Sequence, residues 1–582
     1  MKSPIFRRLL SSSASTAASE ATAAGSRYDL CIVGGGAAGF AAAVRAWDFG
    51  RKVCLVNKGP LGGASLAAGA LSSKVMWQLS RQFRHLQSIN KRYHPDVQDA
   101  ESTRTYQHIK TSVGESVDFK RHHFEMHLAG LSKRMRYSAR EDGGGGMVDW
   151  QEVADAKFLD KHRLGVRGPE GHEGVIEAEH FLIATGSRPR ELPSIPVYGK
   201  YVVTSDHLLS FDQFPKRLMI IGAGVIGCEF AAIFGNFGFS QVHLINERRP
   251  RLLPQEDEDL AAFITSNFAM GGVHIHNNVK VIGVDIDEAK QEVEVTIGVL
   301  PPSPSDDQPQ AQPQTQEFIE EKKIRVDKVL LSVGRVPNTD TLALEKAGVT
   351  LGSGGALEVE KKSLAVAGAP HISAAGDVTV DVGLVSVAEM EARYAVEMMF
   401  GHKNPATPLN YHNVSSIMFL RPEVACVGMN ESEARRRQIA HKVATLRLDV
   451  VNRAVIDWNL SHDTGRVDPD RCGFVKMIVT DDDYKKLLGM RAVGVDASAV
   501  IQSAALLIAQ GDSVRYLEGV LHPHPAITEG VLEVCRLLSG RSIYKPHIFD
   551  ACRVTHFSRK EGIVHAKEKR KRLVPSYMGD EA

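Results

Sequence analysis

Apolar and polar positions in this chain fall into two units that read alike. Tyr28-Asp-Leu-Cys-Ile-Val33 is a nearly continuous apolar run, the pattern of a strand buried on both faces. It passes into Gly34-Gly-Gly36-Ala-Ala-Gly39, then into the small-residue helical pattern FAAAVRAWDFG and a second strand, Lys52 to Asn57. Leu218-Met-Ile-Ile221 repeats the plan with Gly222-Ala-Gly224-Val-Ile-Gly227, the helix CEFAAIFGNFG and the strand Gln241 to Asn246. Strand, helix and strand in alternation predict parallel sheets and an α/β fold. After Lys74 the pattern is helical but polar and basic, through QLSRQFRHLQSINKRYHPDVQ and FKRHHFEMHLAGLSKRM, and predicts solvated helix faces. The run Leu300-PPSPSDDQPQAQPQTQ is too poor in apolar residues to order itself and is expected to be a disordered insertion at about 300–318 that interrupts strand pairing.

The two glycine motifs carry the first chemistry. In strand-to-helix context, the first glycine of GxGxxG makes a tight turn, the second lets a diphosphate approach the backbone, and the third lets the helix pack on the strand. The anion then rests on unpaired N–H groups at the helix N-terminus. Two such sites in one chain point to a flavin and a nicotinamide that exchange a hydride. The strand after the first loop ends at Asn57, where an acidic residue would bind ribose hydroxyls; an amide still offers hydrogen bonds, so weaker FAD anchoring is expected. The second ends at Asn246, Glu247 and two arginines, which favours NADH through Glu247 and leaves NADPH open.

Composition narrows the picture. With 43% hydrophobic and 24% charged residues over 582 positions, the chain suits a globular protein of several domains. A net charge of +1 gives no field to steer nucleic acid, and no apolar run is long enough to span a bilayer. The seven cysteines are scattered without CxxC spacing, so buried thiols are expected and neither a disulfide framework nor a metal site. Residues 1–27, rich in Ser, Ala and Arg with Glu20 as the only acid, have the composition of an organellar transit peptide.

Gly62 to Lys74, GGASLAAGALSSK, resembles the active-site segment of the FAD-dependent pyridine nucleotide-disulfide oxidoreductases, dihydrolipoamide dehydrogenases above all. Ser65 and Ala70 stand where that resemblance puts the two redox cysteines, and a hydroxyl and a methyl cannot store electrons in a disulfide. The family's ATGSRP turn is similar to Ala184–Pro189, its SxGRxPNT segment to Ser332–Thr339, with Gly334 counted to the NAD(P) site, and its second FAD motif to His371–Asp377, with Gly376 and Asp377. The resemblance implies that Glu229 pairs with Lys74 beside the flavin, and that His524 and Glu529 form an acid/base dyad acting across a homodimer interface.

The expectation is an FAD domain in two segments (28–198 and 333–406), an NAD(P) domain (199–332), a C-terminal α+β dimerisation domain (407–545) and a basic tail (546–582). The leading function is an NAD(P)H-reducible flavoenzyme of the mitochondrial matrix that hands electrons directly to a small acceptor. A catalytically impaired dimeric scaffold or sensor subunit is the alternative, and association with a larger mitochondrial complex is a further partner expectation. Residual dihydrolipoamide dehydrogenase or transhydrogenase activity is a third reading.

Overall fold

A computed structural model of the chain describes residues 27–93, 101–132, 146–197, 199–247, 249–301, 318–401, 409–461, 471–558 and 562–565. The expected transit peptide, most of the Pro/Gln-rich insertion and the Lys567–Arg572 run lie outside these residues. The described residues form two compact units, one within Met1–Val75, Lys110–Arg190 and Gly334–Leu409, the other within Met76–Ile109, Glu191–Val333 and Asn410–Ala582.

The first unit is built on the strand Tyr28–Val33, flanked in parallel by Lys52–Lys58 and Glu173–Ile183. Alternate residues of its strands feed two cores. Cys31, Val33, Phe181 and Ile183 enter one, and Leu30, Ile32, Leu55 and Leu182 enter the other. This explains the uninterrupted apolar runs, since both faces of a parallel sheet are covered. The helix Ala37–Asp48 buries Ala38, Gly39, Ala41, Ala42, Ala43 and Ala46. Its small side chains let the backbone lie close to the sheet.

The second unit contains two sheets. In the first, Gln241–Glu247 lies parallel between Arg217–Ile221 and Val273–Asp287, and an antiparallel meander of Val273–Asp287, Glu292–Val299 and Glu320–Val326 continues it. Val299 pairs with Glu320, so the Pro/Gln-rich insertion connects two paired strands and leaves their register intact, contrary to the expected interruption. The other sheet is antiparallel and is covered by the helices Ala497–Gln510 and Thr528–Leu538, whose apolar faces enter one core with it. It takes in Cys552–Ser558, paired with His441–Arg447, and then Gly562–His565. The domain therefore runs past residue 545, and the presumed tail begins with two of its strands. Ala551, Cys552 and Thr555 are buried there, a signal too short to stand out in a basic sequence.

The polar region after Lys74 forms the helices Ala70–Tyr93 and Ser102–Ser132. The second is not solvated all round, because Tyr106, Ile109, Val113 and Val117 recur at helical spacing and are buried. Tyr106 donates its hydroxyl to the carbonyl of Leu208 at 2.6 Å and stands edge-on to Phe214. That anchorage places Met76–Ile109 with the second unit, whereas the sequence boundary kept them in the first FAD segment.

Candidate functional site

The two glycine loops have nearly the same geometry. Gly34 and Gly222 hold φ of +113° and +109°, and a Cβ there would lie 2.3 Å from the Ala184 carbonyl oxygen and 2.4 Å from that of Ser332. At Gly39 and Gly227 a Cβ would stand 1.8 Å from the carbonyl oxygens of Gly34 and Gly222, so each helix is held against its own turn. Gly36 and Gly224 cap the following helices without a side-chain hydrogen bond. At Gly224 a Cβ would meet nothing within 4 Å, and at Gly36 only the Cα of Gly63 at 4.0 Å. Each loop thus offers uncapped N–H groups and bare backbone, the arrangement a dinucleotide diphosphate fits.

Asn57 is buried and largely committed to its own loop. Its Oδ1 accepts from the Gly35 N–H at 2.6 Å, and its Nδ2 donates to the carbonyls of Gly59 and Pro60. Both amide hydrogens are spent, so the side chain meets a ribose hydroxyl only as an acceptor through Oδ1. Asn246 is buried too, and its Nδ2 reaches the carbonyls of Arg249 and Arg251 and Oδ1 of Asn277. It braces the loop after the strand, while Glu247, half-buried beyond a bulge, is the acid of that strand end.

On the flavin side, Gly376 has φ +78° and donates its N–H to Glu391, a carboxylate 1% exposed in the helix Val385–Phe400. Asp377 accepts from the Ser187 hydroxyl at 2.7 Å, and Arg335 donates to the same hydroxyl at 2.7 Å. Gly334, assigned to the nicotinamide side by sequence, begins a segment of the first unit, and its carbonyl accepts from the Arg190 N–H. Ser187 and Arg335 lie in the ATGSRP and SxGRxPNT matches but had no role assigned there, and Glu391 escaped the sequence reading. The pattern LVSVAEMEARYAVEMMF holds three glutamates, Glu389, Glu391 and Glu397, and nothing in it singles out Glu391 as the buried one.

Ser65 lies on the short helix Gly63–Ala67, where its hydroxyl donates to the Gly62 carbonyl at 2.7 Å, and Ala70 opens the helix Ala70–Tyr93. Lys74 follows on that helix and donates to Ser73 at 3.2 Å. In the second unit Glu229 is 5% exposed and accepts from the Phe419 N–H at 3.0 Å. All seven cysteines are free and buried, none of them in the 62–74 segment. Cys228, beside Glu229, is held protonated by burial and by that carboxylate's charge.

His524 and Glu529 meet, also in the second unit. Nδ1 of His524 lies 2.7 Å from Oε1 of Glu529, whose other oxygen accepts from the Ala526 N–H at 3.0 Å. Burial raises the Glu529 pKa, but hydrogen bonds from His524 and Ala526 and the nearby His524 and His522 charges outweigh it and lower the carboxyl below its usual range. The imidazole is 62% exposed and oriented, and His522 turns to the Leu517 carbonyl instead.

Comparison with known proteins accounts for both units. The family model described as pyridine nucleotide-disulphide oxidoreductase matches residues 28–392, and the dimerisation domain of the same family matches 414–535. Dihydrolipoyl dehydrogenase of Bacillus subtilis is 29% identical over 88% of this chain and 99% of its own. The mitochondrial dihydrolipoyl dehydrogenase of Schizosaccharomyces pombe is 26% identical over 89% of this chain and 91% of its own. The crystal structure of LpdA from Mycobacterium tuberculosis aligns with a TM-score of 0.71 at 25% identity, covering 88% of this chain and 99% of that one.

Proposed function

Because this chain belongs to the pyridine nucleotide-disulphide oxidoreductase family, we propose that it is an NAD(P)H-reducible flavoenzyme that passes electrons from FAD straight to a small acceptor, with no disulfide relay between them. It is a dihydrolipoamide dehydrogenase-like oxidoreductase that uses FAD and NAD(P). One observation carries the finer reading: two intact dinucleotide loops of matching geometry coexist with an active-site segment whose Ser65 hydroxyl is tied to Gly62 and whose Ala70 has no reactive atom.

FAD held at the first glycine loop would supply two-electron chemistry between a nicotinamide held at the second and the acceptor, the net reaction being NAD(P)H, a proton and the acceptor to NAD(P)+ and the reduced acceptor. The chain contributes binding and orientation. Gly36 and Gly224 present backbone N–H groups to the two diphosphates, and Asp377, fixed by Ser187, orients a flavin hydroxyl. The Lys74 ammonium favours the negative charge of reduced flavin. His524, aligned by Glu529, holds the proton that the acceptor takes up.

The protein acts as a homodimer through its dimerisation domain. A mitochondrial matrix location is part of the proposal, supported by the acid-poor N-terminus and by the mitochondrial relative from S. pombe.

The test is anaerobic titration of the FAD-loaded dimer with NADH and, separately, NADPH, following flavin absorbance. Stoichiometric bleaching with NADH is expected, with NADPH weaker because Glu247 repels a 2′-phosphate. Bound FAD that neither nicotinamide bleaches would refute the proposal and favour a scaffold.

A further inference from the structure

Three histidines that are scattered in the sequence are stacked together on one face of the nicotinamide-side sheet. His243 lies on the strand Gln241–Glu247, and His274 and His276 lie on the parallel neighbour Val273–Asp287. Pairing sets His243 beside His274, and residues two apart on a strand share a face, so His276 joins them. The His243 ring lies between the other two, with centroids 4.9 Å from His274 and 5.4 Å from His276 and planes tilted by 20° and 23°.

The nitrogen positions say what such a stack can hold. Nδ1 of His243 and Nε2 of His276 point at one another across 3.1 Å. An ion bound at the usual metal–imidazole distance of about 2.0–2.1 Å to both would subtend roughly 100°, between the square-planar and tetrahedral angles. His274 is exposed and its Nε2 lies 3.3 Å from the amide of Gln241, so it would join as a third ligand only by turning its ring away from that amide. Contrast the carboxylates of Asp257, Asp259 and Glu431, which also converge but already surround the ammonium of Lys476.

We propose that His243 and His276, joined by His274, form a binding site for a divalent late transition ion of the Zn2+, Cu2+ or Ni2+ class. Imidazole ligands without a carboxylate or thiolate select these ions over Mg2+ and Ca2+. Binding replaces the single hydrogen between the two facing nitrogens, and the ring that carried it takes the proton on its far nitrogen. Both rings stay neutral, and no oxidation or reduction is involved. The site is separate from the glycine loops and does not depend on the proposed electron transfer.

The experiment uses the full-length FAD-loaded chain, freed of metal by chelation and titrated with Cu2+ while its electron paramagnetic resonance spectrum is followed. One Cu2+ per chain with hyperfine splitting from at least two nitrogens is expected, and His276→Gln weakens that binding at least about tenfold. His274→Gln changes an exposed side chain, leaves the fold intact by circular dichroism, and lowers the number of coupled nitrogens. The proposal is overturned if the parent protein shows no nitrogen-coupled Cu2+, or if His276→Gln binds it as tightly as the parent with the same spectrum.

Discussion

Lys476→Met removes one charge from the most concentrated ionic cluster of the second unit. The ammonium is 1% exposed and lies 2.9 Å from Asp257, 2.8 Å from Asp259 and 2.5 Å from Glu431. Arg435 also reaches Glu431 and Arg553 approaches Asp259, so both keep a cation. Asp257, 4% exposed, loses its direct ion pair and keeps the N–H groups of Glu431 and Ser432 and the more distant charge of Arg491. Methionine fills the volume without the charge, so the cost is that of a buried carboxylate deprived of its partner, about 3–5 kcal/mol. At about 2–4 °C per kcal/mol for a cooperative unit of this size, melting falls by roughly 6–20 °C at pH 7. The pH dependence separates this cause from a packing defect. In the parent, burial pushes the Asp257 carboxyl up, but the Lys476 charge and hydrogen bonds outweigh it and hold the pKa below 3.8. Its stabilisation is therefore present above the unfolded value and is lost as pH falls through the lower folded value. In the variant the Lys476 charge and hydrogen bond no longer offset burial, the backbone hydrogen bonds that remain are weaker, and the pKa rises. Protonation then relieves the penalty, and the gap to the parent narrows between pH 7 and pH 5. Thermal melts of the FAD-loaded proteins by circular dichroism measure both quantities. A gap of equal size at pH 5 and pH 7, or no loss at pH 7, would refute the reasoning.

Two further outcomes test the flavin side. Gly39→Ala drives a Cβ to 1.8 Å from the Gly34 carbonyl oxygen, so the loop is displaced and the protein purifies without yellow colour; Gly36→Ala meets only the Gly63 Cα at 4.0 Å, keeps the parent's apoprotein melting temperature, and loses FAD affinity by equilibrium dialysis. Restoring both thiols, as Ser65→Cys with Ala70→Cys, is expected to confer NAD-linked dihydrolipoamide oxidation on the FAD-loaded dimer; a yellow double variant with no such activity shows that the site departs from the family by more than those two residues.

Local order alone revealed much of the architecture. A strand, a glycine turn and a small-residue helix form one contiguous unit, and at Gly39 and Gly227 the requirement is set by Gly34 and Gly222 of the same turn, so the spacing is legible without coordinates, although the carbonyls that crowd Gly34 and Gly222 belong to the distant Ala184 and Ser332. The His524–Glu529 contact is equally local, five residues apart along one turn into a helix. The sequence could also show that Ser65 and Ala70 carry no thiol, because that is a matter of composition at two positions.

Tertiary structure decided what depends on residues far apart in the chain. The sequence left the amide of Asn57 to face a ribose hydroxyl and Asn246 as a strand end without a carboxylate, but the fold spends the hydrogens of both amides on loop carbonyls that no periodicity marks. The polar helix Ser102–Ser132 hides a sparse apolar stripe because Leu208 and Phe214, a hundred residues on, receive Tyr106. Strand pairing alone brings His243 beside His274 and His276, a neighbourhood that spacing along the chain does not show. Sequence spacing encodes contacts within a turn of the chain, whereas a sheet joins residues whose separation is set by the connection between strands, and that length carries no chemical signature.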